Sequence, residues 1–381
     1  MIIQERNPQN NKKMPNRSKR FIICVLLYML FSTLTYGQTT IIRRIPPIQR
    51  NTNNNILYAR TPFNESLAGV WNSKGKCGFI DKTGKIVIPC KWRSTEPFSE
   101  GLAVVEEDND RGNHGFIDEK GKLVIPCDWN SADSFHEGMA KVMNSNGMEG
   151  YIDKTGNLVI PCEWVKADPF HEGLAKVSGH HPGKKDGYID KTGKLVISCD
   201  WGNAKPFDEG LSFSEGLAAV KKLNGDWGFI DKTGSLVIPC QFKKADSFSE
   251  GLALVLDAND NWGYIDKSGT VVVSLNKMGT PVISSTFSEG LAIIKNAKGK
   301  YGYIDKSGKL VIPCEWDGAE PFSDGMAYVY CYDNKKSGFI DKTGKLVIPI
   351  RNNAYSFSEG FAIVENLGFI DKTGKVIIKA K

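Results

Sequence analysis

The chain has 381 residues, 24% of them charged, and a formal net charge of +6 at pH 7. Most of this positive charge lies in the first 37 residues, where six Lys or Arg residues stand against one acidic residue. The rest of the chain is therefore close to neutral. It lacks the basic patch that nucleic-acid binding requires, so we exclude a nucleic-acid partner.

The amino terminus has the three-part order of a secretory signal peptide. A basic stretch from Lys12 to Arg20 precedes the apolar run Phe21–Leu34, and small residues follow up to Gly37. The apolar run is about 14 residues long, which is shorter than the roughly 20 that a membrane-spanning helix needs. We predict a signal peptide over residues 1–37 and an exported protein, located in the periplasm, at the cell surface or outside the cell.

Two alternatives stay open at this end of the chain. An uncleaved leader would act as a membrane anchor, and this is the one way in which we expect the membrane to be a partner. Translation can also start at Met14 instead of Met1, which would leave a leader of more ordinary length.

Residues 38–62 have the composition of a linker. They contain the proline pair Pro46-Pro47 and the polar run Asn51–Asn55, with little apolar periodicity. Such a segment is predicted to be flexible or extended. The remaining residues, 63–381, differ from it completely because they are repetitive.

The repeat is a block of glycine, an aromatic residue, isoleucine and aspartate that occurs nine times. A period of about 35 to 40 residues is typical of solenoids, propellers and other arrays. In such folds each unit packs mainly on its neighbours, and the chain provides a long surface. The blocks begin at Gly78, Gly115, Gly150, Gly187, Gly228, Gly263, Gly302, Gly338 and Gly368.

Each repeat is predicted to form three short strands. In the second repeat they are Leu102–Val105, Gly115–Asp118 and Leu123–Ile125, which are rich in β-branched and aromatic residues and bounded by turn residues. A proline such as Pro126 is expected to end the third strand, because it cannot donate a ladder hydrogen bond.

The second and third strands are joined by Asp-Lys-Thr-Gly or a close variant. An aspartate that accepts from backbone N–H groups, followed by a glycine with positive φ, predicts a type I turn closed by a glycine bulge. One carboxylate beside a lysine is a poor calcium site, so we interpret these residues as turn residues. They include Asp81, Asp118, Asp153 and Asp231, with Gly84, Gly156 and Gly234.

Large aromatic residues are expected to hold successive repeats together. A unit of three short strands is too small to bury its own apolar face, and rings placed between units can fill that gap. The tryptophans that we assign to this structural role are Trp92, Trp129, Trp164, Trp201, Trp227, Trp262 and Trp316. We predict an all-β tandem array that forms an open, curved superhelix, with a closed β-propeller-like ring as the alternative.

These motifs resemble the WG (KWG) repeat family, in which a Trp-Gly-aromatic-Ile-Asp block alternates with Phe-Ser-Glu-Gly-Leu-Ala. The Trp-Gly pair that gives the family its name occurs at Trp227-Gly228 and Trp262-Gly263. The rest of the motif is repeated through residues 63–381. The resemblance implies an array of short β-strands in bacterial proteins that mediate binding. It implies no catalytic residues.

Cysteine and histidine residues leave two further hypotheses. Six cysteines share one repeat position and are expected to be buried thiols, whereas Cys77 and Cys331 stand outside it and are candidates for one disulfide. His136 and His171 occupy matching positions in adjacent repeats, each followed by glutamate. A zinc site is conceivable there, but we interpret the position as a solvated turn.

No catalytic motif stands out, and nine near-copies are a poor basis for one asymmetric active site. We therefore predict a non-enzymatic binding or scaffolding surface for protein partners, with no cofactor and no metal. Glycan or cell-wall binding through exposed aromatic rings is the alternative. An enzyme site in the irregular segment 274–286 is a weaker third hypothesis.

Overall fold

A computed structural model describes residues 47–49, 56–109, 111–179, 187–198, 212–222, 225–275, 280–281, 286–332, 337–365 and 367–380. Within these residues every regular element is a β-strand. No helix of the described part is long and apolar enough to cross a membrane.

The strands group into nine small antiparallel sheets, which we call blades 1 to 9 in chain order. Blade 1 contains β2 to β5, and the short strand β1 precedes it. The bounds in this first part are β1 Pro47–Gln49, β2 Ile56–Asn64, β3 Leu67–Asn72, β4 Cys77–Asp81 and β5 Ile86–Trp92.

Blades 2 to 4 each have four described strands, and their order in the sheet is their order in the chain. The bounds in blade 2 are β6 Ser94–Thr95, β7 Leu102–Glu106, β8 His114–Asp118 and β9 Leu123–Trp129. Those in blade 3 are β10 Ser131–Ala132, β11 Met139–Met143, β12 Glu149–Asp153 and β13 Leu158–Trp164. Those in blade 4 are β14 Lys166–Ala167, β15 Leu174–Ser178, β16 Gly187–Asp190 and β17 Leu195–Ser198.

Blades 5 to 7 repeat this order, with three described strands in blade 5. The bounds in blade 5 are β18 Leu217–Lys221, β19 Trp227–Asp231 and β20 Leu236–Phe242. Those in blade 6 are β21 Lys244–Ala245, β22 Ala253–Leu256, β23 Trp262–Ile265 and β24 Val271–Ser274. Those in blade 7 are β25 Thr280–Pro281, β26 Leu291–Lys295, β27 Tyr301–Asp305 and β28 Leu310–Trp316.

Blades 8 and 9 complete the series. The bounds in blade 8 are β29 Gly318–Ala319, β30 Ala327–Tyr330, β31 Ser337–Ile340 and β32 Leu346–Pro349. Those in blade 9 are β33 Phe361–Val364, β34 Gly368–Asp371 and β35 Val376–Ala380.

The array closes on itself. The described residues form nine apolar clusters, and each cluster combines side chains of two neighbouring blades. An open row of nine blades would have one interface fewer. The ninth cluster joins Ile363, Phe369 and Ile378 of blade 9 to Phe63 and Val70 of blade 1.

Backbone pairing also spans this junction, because β1 pairs with β35 on one side and with β2 on the other. The prediction of an open superhelix is therefore wrong, and the alternative, a closed propeller ring, is confirmed. The expectation failed because closure depends on residues at opposite ends of the chain, which leave no local pattern.

Most blades differ from the predicted unit of three strands, and blade 2 shows the two differences. A short additional strand, such as Ser94–Thr95, precedes the Phe-Ser-Glu-Gly turn and pairs with the strand after it. The last strand also continues through its proline: β9 includes Pro126 and ends at Trp129. A register shift separates this part of β9 from the rest of its pairing with β8, and Pro126 is exposed, so its missing N–H costs no buried hydrogen bond.

The first strand of the ring begins inside the segment 38–62, which was predicted to be a linker. β2 starts at Ile56, and Ala59 in it is fully buried. Residues 1–37, which carry the predicted signal peptide, lie outside the described residues.

Candidate interaction surface

Neighbouring blades are joined by a carboxylate at the turn between the first two strands of each blade. In blade 2 this is the turn Ser99–Leu102, with hydrogen bonds in both directions between its end residues. Glu100 and Gly101 both have positive φ, at 56° and 85°, which defines a type I′ turn. A glutamate in this conformation costs about 1–2 kcal/mol, so its presence in successive blades requires a compensating interaction.

That interaction is a hydrogen bond to the next blade. The carboxylate of Glu100 accepts from the Gly138 N–H at 2.9 Å, and the carboxylate of Glu359 accepts from the Ser66 N–H at 2.9 Å across the closing junction. Every blade in the ring supplies one such residue with positive φ. They are Glu65, Glu100, Glu137, Glu172, Glu215, Glu250, Glu289, Asp324 and Glu359.

A lysine from the next blade binds most of these carboxylates. Lys154, in the Asp-Lys-Thr-Gly turn of blade 3, lies 3.0 Å from Glu100, and Lys82 lies 3.1 Å from Glu359. Burial alone would raise the pKa of Glu100, but bonds from Lys154 and from backbone N–H groups outweigh it and lower that pKa. The pKa of Glu359 is lowered in the same way by Lys82 and Ser66.

The Asp-Lys-Thr-Gly turns have the hydrogen bonds that the sequence predicts. The Gly84 N–H donates to the Asp81 carbonyl at 2.8 Å, and Asp81 Oδ1 accepts from the Thr83 N–H and hydroxyl at 2.9 and 2.6 Å. Gly84 has φ of 78°. The same backbone bond closes the turns from Asp118 to Gly121, Asp153 to Gly156 and Asp231 to Gly234.

The repeated tryptophans mostly lie between blades. Trp92 is 7% exposed and packs with blade 2 residues such as Phe98 and Val105. Trp164, Trp227 and Trp316 are equally buried, while Trp129 and Trp262 are half-buried against the adjacent cluster. Trp201 lies outside the described residues.

Because the strands are antiparallel, the two kinds of turn described above lie at the same end of every blade, which we call the turn face. The strand that follows the Phe-Ser-Glu-Gly turn is connected to the strand that precedes the Asp-Lys-Thr-Gly turn at the opposite end of the blade, which we call the loop face. On the turn face the blades are nearly identical and their carboxylates, lysines and N–H groups bind one another.

The loop face differs from blade to blade. Residues 72–76 and 296–300 each carry two lysines, residues 257–261 carry two aspartates, and residues 144–148 are uncharged. The loop over residues 107–113 is longer and contains both acidic residues and an arginine. A partner bound to this end would therefore meet basic, acidic and uncharged loops on different blades.

A tyrosine cluster adds an aromatic patch to the loop face at blades 7 and 8. Tyr332 is 74% exposed and packs edge-on against Tyr330 with ring centroids 5.2 Å apart. In blade 7, which neighbours the blade of Tyr332, the ammonium group of Lys295 lies 5.0 Å from the ring centre of Tyr301. This distance is within cation–π range. Sequence reasoning missed this cluster, although Tyr328-Val329-Tyr330-Cys331-Tyr332 departs visibly from the repeat.

A sequence model of the WG containing repeat matches the chain nine times and covers more than half of it. The matched residues are 78–109, 115–147, 150–178, 187–225, 227–259, 262–277, 301–335, 338–366 and 368–381. The chain is a WG-repeat protein. No curated protein matches it.

Two solved structures are similar to this WG-repeat protein. BamB from Moraxella catarrhalis has a TM-score of 0.41 and 12% identity, over 76% of this chain and 97% of that one. Sqt1 from Saccharomyces cerevisiae has a TM-score of 0.37 and 11% identity, over 81% of this chain and 97% of that one. The propeller fold of the WG-repeat protein rests on the contacts between its own blades.

Blade 3 departs from the WG repeat inside the ring. Glu149 occupies the place of the motif tryptophan, and Lys141 on the neighbouring strand lies 3.4 Å from its carboxylate and 3.1 Å from Asp133. Burial would lower the pKa of Lys141, but Asp133 and Glu149 outweigh it and raise that pKa. The side chain of Lys141 is only 19% exposed, so this blade has an ion pair where blade 6, for example, has Leu254 and Trp262.

The described cysteines are all free thiols. Cys77 and Cys331, the candidates for a disulfide, lie in blades 1 and 8 and are not bonded to each other. Burial raises the pKa of Cys90 to about 11 and that of Cys127 to about 12, so these thiols stay protonated and unreactive at neutral pH. Cys199 lies outside the described residues.

His136 and His171 are brought together by the packing of blade 3 against blade 4. Their ring centroids lie 5.7 Å apart with an angle of 34° between the ring planes. Burial and the neighbouring His136 lower the pKa of His171, which favours its neutral form. Among the described residues no group of three or more His, Cys, Asp or Glu side chains is placed to hold a metal ion.

Proposed function

We propose that this WG-repeat propeller is an exported, non-enzymatic scaffold that binds a protein partner through its loop face. One observation carries the proposal: the nine blades share almost the same residues on the turn face and differ on the loop face. Residues that repeat in every blade serve the ring itself. We assign the loop-face side chains that vary between blades to the partner.

The turn face is a poor candidate for binding because its polar groups are already used. The carboxylate of Glu100 is bound by Gly138 N–H and Lys154, and equivalent bonds recur from blade to blade. A partner on this face would have to break them. Buried or half-buried carboxylates that lose a hydrogen-bond donor cost about 1–3 kcal/mol each.

The loop face offers the residue types that dominate protein interfaces. Tyrosine is enriched among the residues that contribute most to binding, and charges at the rim select the partner's orientation. Tyr332 is highly exposed, and Lys74 and Asn146 are exposed on other blades of the same face. We therefore assign Tyr332 as the central aromatic contact of the interface.

The described tryptophans favour this proposal over glycan binding. A sugar-binding platform needs an exposed ring, whereas Trp92, Trp164 and Trp316 are at most 7% exposed. Export remains part of the proposal because of the amino-terminal leader. Amino-terminal sequencing of the mature protein tests it, with a start close after Gly37 as the expected result.

Site-specific photo-cross-linking tests the choice of face. A photoreactive amino acid at Lys74 or Asn146 should capture a partner polypeptide in cells, whereas one at Thr83 or Thr155 should not. All four positions are exposed, and the last two lie on the turn face as matched controls. Cross-links from Thr83 and Thr155 alone would contradict the proposal.

A second arm tests the aromatic contact. Tyr332→Ala should weaken capture of the same partner at least tenfold, which is the loss expected for one central interface residue. Val271→Ala removes a 55% exposed apolar side chain from β24 and should leave capture unchanged. Equal effects of the two substitutions would exclude Tyr332 as a specific contact.

A further inference from the structure

The turn position that contains His136 and His171 has a defined role in the other blades. It is serine in six of them, and the Ser99 hydroxyl donates to the carbonyl oxygen of Phe135 in the next blade at 2.7 Å. In blade 1 the residue is Asn64, whose amide donates to the Phe98 carbonyl at 2.8 Å. The side chain at this position therefore points along the ring toward the next blade.

Histidine occupies the position in two successive blades only. The two imidazoles are consequently neighbours, with ring centroids 5.7 Å apart. No hydrogen bond joins either ring to another described residue. Two neighbouring blades thus present a pair of imidazoles whose nitrogens are not committed to the fold.

The two turns are fixed relative to each other by the carboxylate between them. Glu137, which follows His136, accepts hydrogen bonds from the N–H groups of the two residues after His171, namely Glu172 and, at 2.8 Å, Gly173. Lys191 donates to the Glu137 carbonyl at 2.7 Å and adds a further restraint. The histidine pair is therefore held in register before any ligand binds, which reduces the cost of ordering it.

We propose that His136 and His171 form a binding site for a divalent transition-metal ion, with solvent completing the coordination. Imidazole nitrogen is a preferred ligand of Zn²⁺, Ni²⁺ and Cu²⁺. With metal–nitrogen bonds of about 2.0–2.1 Å, two imidazoles on one ion have ring centres roughly 5 to 6 Å apart. The observed separation lies in this range. Glu137 and Glu172 add negative charge nearby, but their carboxylates already accept hydrogen bonds from backbone N–H groups of the next blade.

The site would link blades 3 and 4 at one interface of the ring. An ion that binds only the folded state stabilises it. At concentrations well above the dissociation constant, this stabilisation grows with the logarithm of the ratio of the free ion concentration to that constant. Metal binding should therefore raise the thermal midpoint of the protein, and this effect should need both histidines.

Calorimetric titration of the untagged protein with Ni²⁺ tests the site. We expect one ion per chain, and at least tenfold weaker binding in His136→Ser and in His171→Ser. Serine and asparagine occur at this position in the other blades, so these variants and His136→Asn should fold normally, as circular dichroism can check. The control is the variant His180→Ala/His181→Ala, which removes the other adjacent histidines of the sequence and should bind Ni²⁺ as the wild type does.

The accompanying measurement is the thermal midpoint with and without Ni²⁺. It should rise in the wild type and in the His180→Ala/His181→Ala variant and stay constant in the two serine variants. Wild-type protein that binds no Ni²⁺, or serine variants that bind it with undiminished affinity, would overturn the proposal. So would loss of binding in the His180→Ala/His181→Ala control.

Discussion

The Ser358 hydroxyl lies 2.7 Å from the carbonyl oxygen of Phe63, although 295 residues separate the two in the sequence. The Ser249 hydroxyl makes the same bond to Phe287, 2.8 Å away in the next blade along the chain. The closing junction is thus built from the same bond as an internal junction. Phe63 also packs against Phe361 and Phe369 of blade 9, with ring centroids 4.9 and 5.0 Å apart.

Removal of either serine hydroxyl should therefore destabilise the protein equally. We expect Ser358→Ala and Ser249→Ala each to lower the free energy of unfolding by about 1 kcal/mol, the usual net contribution of one hydrogen bond. Urea unfolding followed by tryptophan fluorescence measures both. If Ser249→Ala destabilises the protein and Ser358→Ala has no effect, the bond at the junction is absent.

Substitutions at Glu100 separate the cost of its backbone conformation from the contribution of its carboxylate. Glu100→Ala keeps the unfavourable positive φ and loses the bonds to Gly138 and Lys154, so we expect destabilisation on the order of 1–3 kcal/mol. Glu100→Gly loses the same bonds but tolerates the positive φ, so it should be less destabilising by about 1 kcal/mol. Thermal unfolding of the two variants checks this order. Equal stability would mean that the turn stores no strain.

The lowered carboxylate pKa values predict that the ring loses stability in acid. The pKa values of Glu100, Glu137, Glu172 and Glu359 are lowered in the folded state, since bonds from lysines and backbone N–H groups outweigh burial. Their contribution is complete above the ordinary glutamate pKa of about 4.3. It is lost as the pH falls through the lower folded-state values, because the unfolded chain binds protons first.

The contribution of these carboxylates to the thermal midpoint should therefore be constant from pH 7 to about pH 5 and fall steeply below pH 4.3. The lowered pKa values of His114 and His171 act at higher pH, because they cost stability as the pH falls through the ordinary histidine value of about 6.5. The variant Glu100→Gln, which cannot titrate at this position, should show a smaller fall than the wild type. A wild-type midpoint that is unchanged at pH 3 would show that these carboxylates do not stabilise the folded state.

The ion pair in blade 3 predicts that a second substitution restores stability that a first one removes. Lys141→Ile leaves the half-buried carboxylates Asp133 and Glu149 without their cation, and should destabilise the protein by roughly 2–4 kcal/mol. Lys141→Ile combined with Glu149→Trp places an aliphatic residue and a tryptophan at these positions, as blade 6 has with Leu254 and Trp262. The double variant should recover most of the loss, because well-packed apolar residues often replace a buried ion pair without cost. Urea midpoints of the wild type, Lys141→Ile and the double variant measure the recovery, and a double variant that is no more stable than Lys141→Ile would contradict the expectation.

The sequence predicted the parts of the fold that local patterns encode. The turn from Asp81 to Gly84 needs one carboxylate and one glycine at fixed spacing, and the structure has that turn. The short first strands were missed because pairs such as Ser94–Thr95 and Lys166–Ala167 have no apolar alternation and pair only through their backbone. The positive φ of Glu100 was also unpredictable, because glutamate is not a residue that favours it.

Ring closure could not be read from the sequence for a different reason. The repeats specify how one blade packs on the next, but the number of blades that completes a circle depends on small rotations summed over all of them. The histidine pair was visible as a departure from the repeat, but a separation of 5.7 Å required the blade spacing. The exposed position of Tyr332 likewise depends on which face its connection occupies.

Zero-length carbodiimide cross-linking followed by peptide mass spectrometry tests the closed ring most directly. This reagent joins an amine to a carboxylate only when they touch, and Lys82 lies 3.1 Å from Glu359 at the closing junction. Lys154 with Glu100 at 3.0 Å and Lys191 with Glu137 at 3.2 Å are internal controls. A closed ring predicts the Lys82–Glu359 cross-link within monomeric protein, at a yield similar to the controls. Efficient control cross-links without any Lys82–Glu359 product in the monomer would contradict closure.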